Sequence, residues 1–176
     1  RDLVADGYDF RTQAWYQRTL ASPGPWWSEP YFNETAGGHW MVTLNLPLRA
    51  PGGEAQGMVS LDVPVRRFSE LLDNLRAVPG QRPTLMTPEG TLAVHPDVGI
   101  ALNHTLSSYL VAEGRTDLEP LEAARAGHQP LELTHVLPVT GETRFSVLAP
   151  VADTGWMLQL ALSHEAILHD LRRKTL

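Results

Sequence analysis

Downstream of Arg82 the apolar residues fall into short runs separated by turn residues, the pattern of strands joined by tight connections. Pro83 to Thr87 and Thr91 to His95 flank Pro88-Glu89-Gly90, where proline presets one turn dihedral and glycine accepts positive φ, so the pair predicts a hairpin. His95-Pro96-Asp97 then stops the second strand. Thr105 to Glu113 and Asp117 to Ala126 read as two short helices, the second with Asp117 as N-cap, Pro120 in its first turn and Gly127 as C-cap. Three more strands are expected at Leu131 to Pro138, Arg144 to Pro150 and Trp156 to Ser163, with turns at Thr140-Gly141-Glu142 and Asp153-Thr154-Gly155. From His164 to Lys174 the pattern is an amphipathic helix, with Ile167, Leu168 and Leu171 on one face and basic residues in the last turn. The predicted order is β-β-α-α-β-β-β-α.

The first half closes in the same way. A strand from His39 to Pro47, the turn Pro51-Gly52-Gly53-Glu54, a strand from Gly57 to Val63 and a helix carrying Phe68, Leu71, Leu72 and Leu75 repeat the order of the C-terminal end. Leu46-Pro47-Leu48 and Ala149-Pro150-Val151 precede the two glycine turns. The sequence therefore reads as two copies of one unit of roughly a hundred residues, the first copy apparently truncated at its N-terminus. The fold class expected is α+β, two modules each built on an antiparallel sheet flanked by helices. The boundary falls near Ala77 to Gln81, which divides the chain into 1–78, 79–163 and a C-terminal helix at 164–176.

Composition narrows the function more by exclusion than by indication. A chain of 176 residues allows one medium domain or two small ones, and 14 glycines with 14 prolines exclude a coiled coil. A net charge of −6 and no basic run longer than Arg172-Arg173-Lys174 leave a nucleic-acid surface without electrostatic support. The absence of cysteine removes thiol nucleophiles, disulfides and thiolate metal sites. No apolar run reaches the roughly 18 residues needed to span a bilayer. There is no Gly-x-Ser-x-Gly elbow, no phosphate-cradling lysine loop and no dinucleotide fingerprint. His164 and His169 lie five apart, about 140° round a helix, so they do not share a face as zinc ligands would. His95-Pro96-Asp97 reads as a structural turn rather than an acid/base pair. The sequence thus offers no catalytic set, no metal site and no cofactor motif, and the expectation is a protein that is not an enzyme.

Aromatic residues are the positive signal. Nine of the thirteen, Tyr8, Phe10, Trp15, Tyr16, Trp26, Trp27, Tyr31, Phe32 and Trp40, lie within the first forty positions. They either close the core of a small module or box a small ligand, and a cage of ring faces with one buried carboxylate suits an organic cation. Asp62 is the candidate carboxylate: in Gly57-Met58-Val59-Ser60-Leu61-Asp62-Val63, alternation puts it on the face of Met58 and Ser60, opposite Val59, Leu61 and Val63.

At these residues the chain resembles the double Cache sensor domain found outside the cytoplasm in bacterial transmembrane receptors. Asp9-Phe10-Arg11-Thr12-Gln13-Ala14-Trp15-Tyr16 looks like that family's Asp-x-Arg-x-Arg-Pro-Trp-Tyr segment, and Trp27-Ser28-Glu29-Pro30-Tyr31-Phe32-Asn33 like its Trp-x-x-Pro-Tyr-x-Asp segment. Gly57 to Asp62 is similar to its Gly-Val-x-x-x-Asp strand, while Thr87 to Asp97 and Pro150 to Trp156 look like the hairpin and terminal strand of the membrane-proximal module.

The resemblance implies two PAS-like modules, set on a long N-terminal helix between two membrane spans that are not in this sequence. It also implies a small-molecule pocket in the distal module, carried over to Trp15, Tyr16, Trp27, Tyr31, Asn33 and Asp62. The arginine that grips a ligand carboxylate in amino-acid-binding members is Gln13 here, and the aspartate after Pro-Tyr is Asn33. An amine on Asp62 or a neutral solute is therefore favoured over an α-amino acid. The resemblance further implies a periplasmic location, a signal passed through the helix from His164 to Lys174, a homodimer as one possible assembly, and an output domain of kinase, chemoreceptor, cyclase or phosphatase type. A structural or dimerising stalk, with a vestigial pocket or one that senses a protein partner, is the competing expectation.

Overall fold

Two antiparallel sheets, one from each half of the chain, organise the computed structural model, which describes residues 7–34, 37–74 and 80–174. The first half begins with a 3-10 turn at Phe10–Thr12, capped by the Asp9 carboxylate accepting from the Arg11 N–H at 3.0 Å. Helix α1 (Ala14–Ala21) and strands β1 (Trp26–Trp27), β2 (Tyr31–Asn33), β3 (His39–Arg49) and β4 (Ala55–Pro64) follow, then helix α2 (Val65–Asp73). The long β3–β4 hairpin is the spine of this module: Thr43 faces Asp62, Asn45 faces Ser60 and Leu44 faces Leu61. Strands β1 and β2 both pair with the same edge of β3, β1 at Leu44 and Asn45 and β2 at His39 to Met41. They form one edge strand broken at Ser28-Glu29-Pro30, where proline has no N–H to give the ladder.

The second half supplies β5 (Arg82–Met86), β6 (Leu92–Val94), α3 (Leu106–Ala112), α4 (Leu118–Ala126), β7 (Leu131–Val136), β8 (Thr143–Val151), β9 (Trp156–Ser163) and α5 (His164–Lys174). The strand order β6-β5-β9-β8-β7 puts β9 at the centre. This sheet is covered on both faces. Leu106 and Leu110 of α3 and Leu121 and Ala124 of α4 close over Met86, Leu92, Leu148 and Met157, all at most 7% exposed. On the opposite face Leu85, Ala93, Val94 and Trp156 meet Val42, Val65 and Leu72 of the first module, so one apolar cluster spans both halves. The Thr87 hydroxyl adds a polar tie across the same junction, donating to Glu29 Oε2 at 2.7 Å.

The predicted order of elements in the second half is the observed one, and the two halves close alike: β4 runs from Pro64 into α2 at Val65, as β9 runs from Ser163 into α5 at His164. Helix α3 starts on a capping box between Thr105 and Ser108. Both expected caps of α4 stand at their positions, Asp117 at the N-cap and Gly127 at the C-cap, but neither acts in the expected way. The Asp117 side chain makes no cap bond, because its carboxylate is taken by Arg115. Gly127 sits at the C-cap with φ −84°, and the left-handed position passes to His128 at φ +49°. Glycine serves there through close approach, since a Cβ would stand 3.2 Å from the Ala123 carbonyl oxygen. Leu75 and most of the boundary expected at Ala77 to Gln81 lie outside the described residues.

Candidate functional site

Beside the break in the first module's edge strand, β3 and β4 carry a polar patch, of which Thr43 and Asn45 are buried and Ser60 and Asp62 are exposed. Residues paired across an antiparallel ladder share a face, so Thr43, Asn45, Ser60 and Asp62 stand together, with Trp26 and Tyr31 beside them from the edge. The Thr43 hydroxyl donates to Asp62 Oδ1 at 2.7 Å, and Tyr31 reaches the same oxygen at 3.4 Å while lying 2.9 Å from Thr43 Oγ1. Both contacts use Oδ1, which leaves Oδ2 available to a donor. Next to this trio Ser60 donates to Asn45 Oδ1 at 2.8 Å. Ser28 fixes the edge break by receiving the Thr43 N–H on its hydroxyl and giving its own N–H to the Thr43 carbonyl, each at 2.9 Å.

Helix α1 lies over the same face. The fully buried Thr19 accepts from Trp26 Nε1 at 3.1 Å and donates to the Trp15 carbonyl at 2.7 Å, which locks helix, edge strand and sheet together. Arg18 sits over the Trp26 ring at 3.8 Å from its centroid. Trp15 and Tyr16, edge to face at 6.0 Å, and Phe10 against Tyr16 at 5.1 Å form an aromatic group at the start of α1. The C-terminal end of α1 is held by Arg49, whose guanidinium donates to the Leu20 and Ser22 carbonyls.

Of the residues expected to line a pocket, the structure brings Tyr31 and Asp62 into contact and sets Asn33 two positions along β2 from Tyr31, while Trp15 and Tyr16 lie at the start of α1, where they pack on each other. Trp27 is not brought to them. Its register partner is Leu44, on the opposite face, where it packs edge to face on Trp156 at 5.9 Å and on Phe68 at 6.1 Å. Asp62 is expected as a buried carboxylate and is exposed instead, although Tyr31 and Thr43 both reach its Oδ1. Thr43 and Ser28 escaped the sequence reading. The signal for Thr43 lay in Met41-Val42-Thr43-Leu44-Asn45-Leu46, where polar residues fall at alternate positions. His95 is structural: its Nδ1 accepts the Asp97 N–H at 3.0 Å, its ring packs on Tyr109, and burial lowers its pKa.

Comparisons with known proteins agree with this architecture. Residues 2–70 match the family model of the methyl-accepting chemotaxis protein-like first PDC sensor domain. The methyl-accepting chemotaxis protein PscA of Pseudomonas syringae pv. tomato is 26% identical over 164 residues, which cover 90% of this chain and 23% of that protein. Among solved structures, the extracellular domain of a protein described as a histidine kinase, mmHK1S-Z3, superposes with a TM-score of 0.73 at 22% identity, over 92% of this chain and 57% of that one. The ligand-binding domain of the Pseudomonas aeruginosa PAO1 amino acid chemoreceptor PctB, solved with L-Arg, gives a TM-score of 0.67 at 21% identity, over 95% and 62%. The chain thus spans less than two thirds of each of these relatives. With its paired antiparallel sheets the chain is similar in fold to these extracellular and ligand-binding sensor domains, and its residues 2–70 resemble the first PDC sensor domain of methyl-accepting chemotaxis protein-like proteins.

Proposed function

We propose that this domain senses a small molecule held against the distal sheet, with Asp62 as the anchor. The observation that carries the reading is the Tyr31–Thr43–Asp62 cluster, which presents a pre-oriented carboxylate oxygen at the break of an edge strand. Asp62 Oδ2 accepts from a ligand amine or hydroxyl, Tyr31 and Asn33 border the patch on β2, and Trp15 and Tyr16 supply ring faces from α1. The carboxylate of Asp62 and the rings favour an organic cation, while Gln13 gives little grip on a ligand carboxylate and Asn33 leaves one anchor for an α-amine neutral. An amine or neutral solute is therefore the proposed ligand class.

Signal passes from this patch along the segment 27–31. Tyr31 touches Asp62, Glu29 accepts from Thr87 of the second module, and Trp27 packs on Trp156 at the start of central strand β9. Strand β9 continues without a loop into α5. A ligand that tightens the edge strand on β3 shifts these contacts, and α5 carries the shift towards the membrane, biased by its differential affinity for the two arrangements. A thermal-shift screen against amines, amino acids, carboxylates and polyols tests the reading. A saturable rise in melting temperature for an amine or neutral solute, lost in Asp62→Ala, supports it. A ligand whose effect persists in Asp62→Ala overturns it.

A further inference from the structure

The segment 28–30 that breaks the first module's edge strand touches both modules. Ser28 is held to Thr43 by two hydrogen bonds of 2.9 Å, which fix the segment to β3. Glu29, half-buried, reaches the second module and accepts from the Thr87 hydroxyl at 2.7 Å. Pro30, whose ring fixes φ, separates Glu29 from Tyr31, so a displacement of Tyr31 is passed along the backbone rather than absorbed in it. Tyr31 itself rests on Thr43 and Asp62.

Thr87 is completely buried. Its N–H donates to the Thr91 carbonyl at 3.0 Å, its carbonyl accepts from the Gly90 N–H at 2.9 Å, and its hydroxyl accepts the Thr91 N–H at 3.0 Å while donating to Glu29. These bonds make the turn Thr87-Pro88-Glu89-Gly90-Thr91 one stiff piece. Arg125 of α4 donates to its Pro88 carbonyl. Gly155, in the β8–β9 connection, packs so closely on Pro88 that a Cβ there would stand 3.1 Å from the proline ring. His128, just beyond α4, donates from Nε2 to the Gly155 carbonyl at 2.9 Å. The turn thus joins Glu29 to α4 and to the β8–β9 connection.

Around this bond the junction is built from Val42, Val65 and Leu72 against Leu85, Ala93, Val94 and Trp156. Apolar contact is non-directional and lets packed elements slide by small steps, whereas a hydrogen bond to a carboxylate is directional and leaves a buried donor unsatisfied when it breaks. We propose that Glu29 is the coupling residue between the modules: its bond to Thr87 sets how the two sheets sit on each other, and the turn passes a displacement of Tyr31 to α4 by way of Arg125. The branch to α4 adds to the route through Trp27 and β9 and rests on that reading only for Tyr31 as the point of input.

The test needs no ligand. In the whole chain labelled with nitrogen-15, the amide resonances of Gly90 and Gly155 and the Nε–H resonance of Arg125 are followed as Tyr31→Phe removes the hydroxyl at the patch. All three signals are expected to shift. The same substitution made on Glu29→Ala or Thr87→Val should shift them at least about threefold less, whereas on Glu29→Gln and Thr87→Ser, which keep an acceptor and a hydroxyl, the shifts should persist. A Glu29 that only stabilises the fold would move the resting positions of these signals in Glu29→Ala and leave their response to Tyr31→Phe unchanged. No response in the otherwise wild-type chain, or a full response in Glu29→Ala, would overturn the proposal. Glu29 is only half-buried, so Glu29→Ala carries the test should Thr87→Val not fold. Ligand response in Asp62→Ala bears on the ligand reading alone, since no ligand enters these measurements.

Discussion

The two sheets are built from the same repeated unit yet are buried to very different degrees. In the second module α3 and α4 cover one face and the first module covers the other, so Met86, Leu92, Leu148 and Met157 are all completely buried. In the first module the hairpin is open. One face of β3 and β4 carries the polar patch around Asp62, and the other leaves Leu46, Leu48, Val59 and Leu61 40–58% exposed. The difference teaches where each module spends its residues: the second invests alternate strand positions in two apolar layers, whereas the first carries polar side chains on one face of its hairpin, Thr43 and Asn45 buried and Ser60 and Asp62 exposed.

Substitutions sharpen this contrast. The largest effect is expected at Trp156, 3% exposed and the meeting point of Trp27 and Phe68: Trp156→Ala should cost about 3–5 kcal/mol of unfolding free energy, measured by urea denaturation. Leu121→Ala, at a completely buried position on the core face of α4, should cost about 2–5 kcal/mol.

The pH dependence also belongs to the second module. The His135 pKa is lowered to about 4 by burial and then by Arg115, below the ordinary 6.5. Between those values the unfolded chain holds a proton that the folded one lacks. This contribution to stability is therefore full above pH 6.5 and is lost as pH drops towards 4. His135→Leu should flatten that part of the profile, read from melting temperatures across the same range. If the slope is unchanged, His135 is not its source.

In the first module the expected effects shrink. Thr43→Val keeps the shape of the 8%-exposed residue but removes the hydroxyl between Tyr31 and Asp62, at a cost of about 1 kcal/mol and with the loss of ligand response. Leu61→Ala, on the opposite exposed face, should move stability by less than about 0.5 kcal/mol. A large loss there would show that this face is buried in solution and would remove the contrast between the modules.

The sequence made much of this legible for a physical reason. The strands of the second module are bounded by glycine and proline turns whose dihedrals are local properties, so Pro88-Glu89-Gly90 and Asp153-Thr154-Gly155 marked their hairpins without tertiary help. The two- and three-residue strands β1 and β2 carry no period of their own and exist because β3 templates them. The side of Asp62 followed from alternation, but its exposure did not, since exposure depends on what covers a strand. Trp27 is the instructive case. Its place among aromatics suggested a cage, whereas register turns it to the face where a partner 129 residues downstream, Trp156, waits. His135 gave no sequence signal, because the arginines that surround it come from a loop and a neighbouring strand.

The central claim is that the open distal face is the sensory one. It is tested most directly by isothermal titration of the strongest amine or neutral ligand from the screen against the wild-type chain, Asp62→Asn and His135→Leu. The account predicts that Asp62→Asn abolishes the heat of binding while His135→Leu leaves it unchanged. Full binding to Asp62→Asn would contradict it and place the ligand elsewhere in the fold.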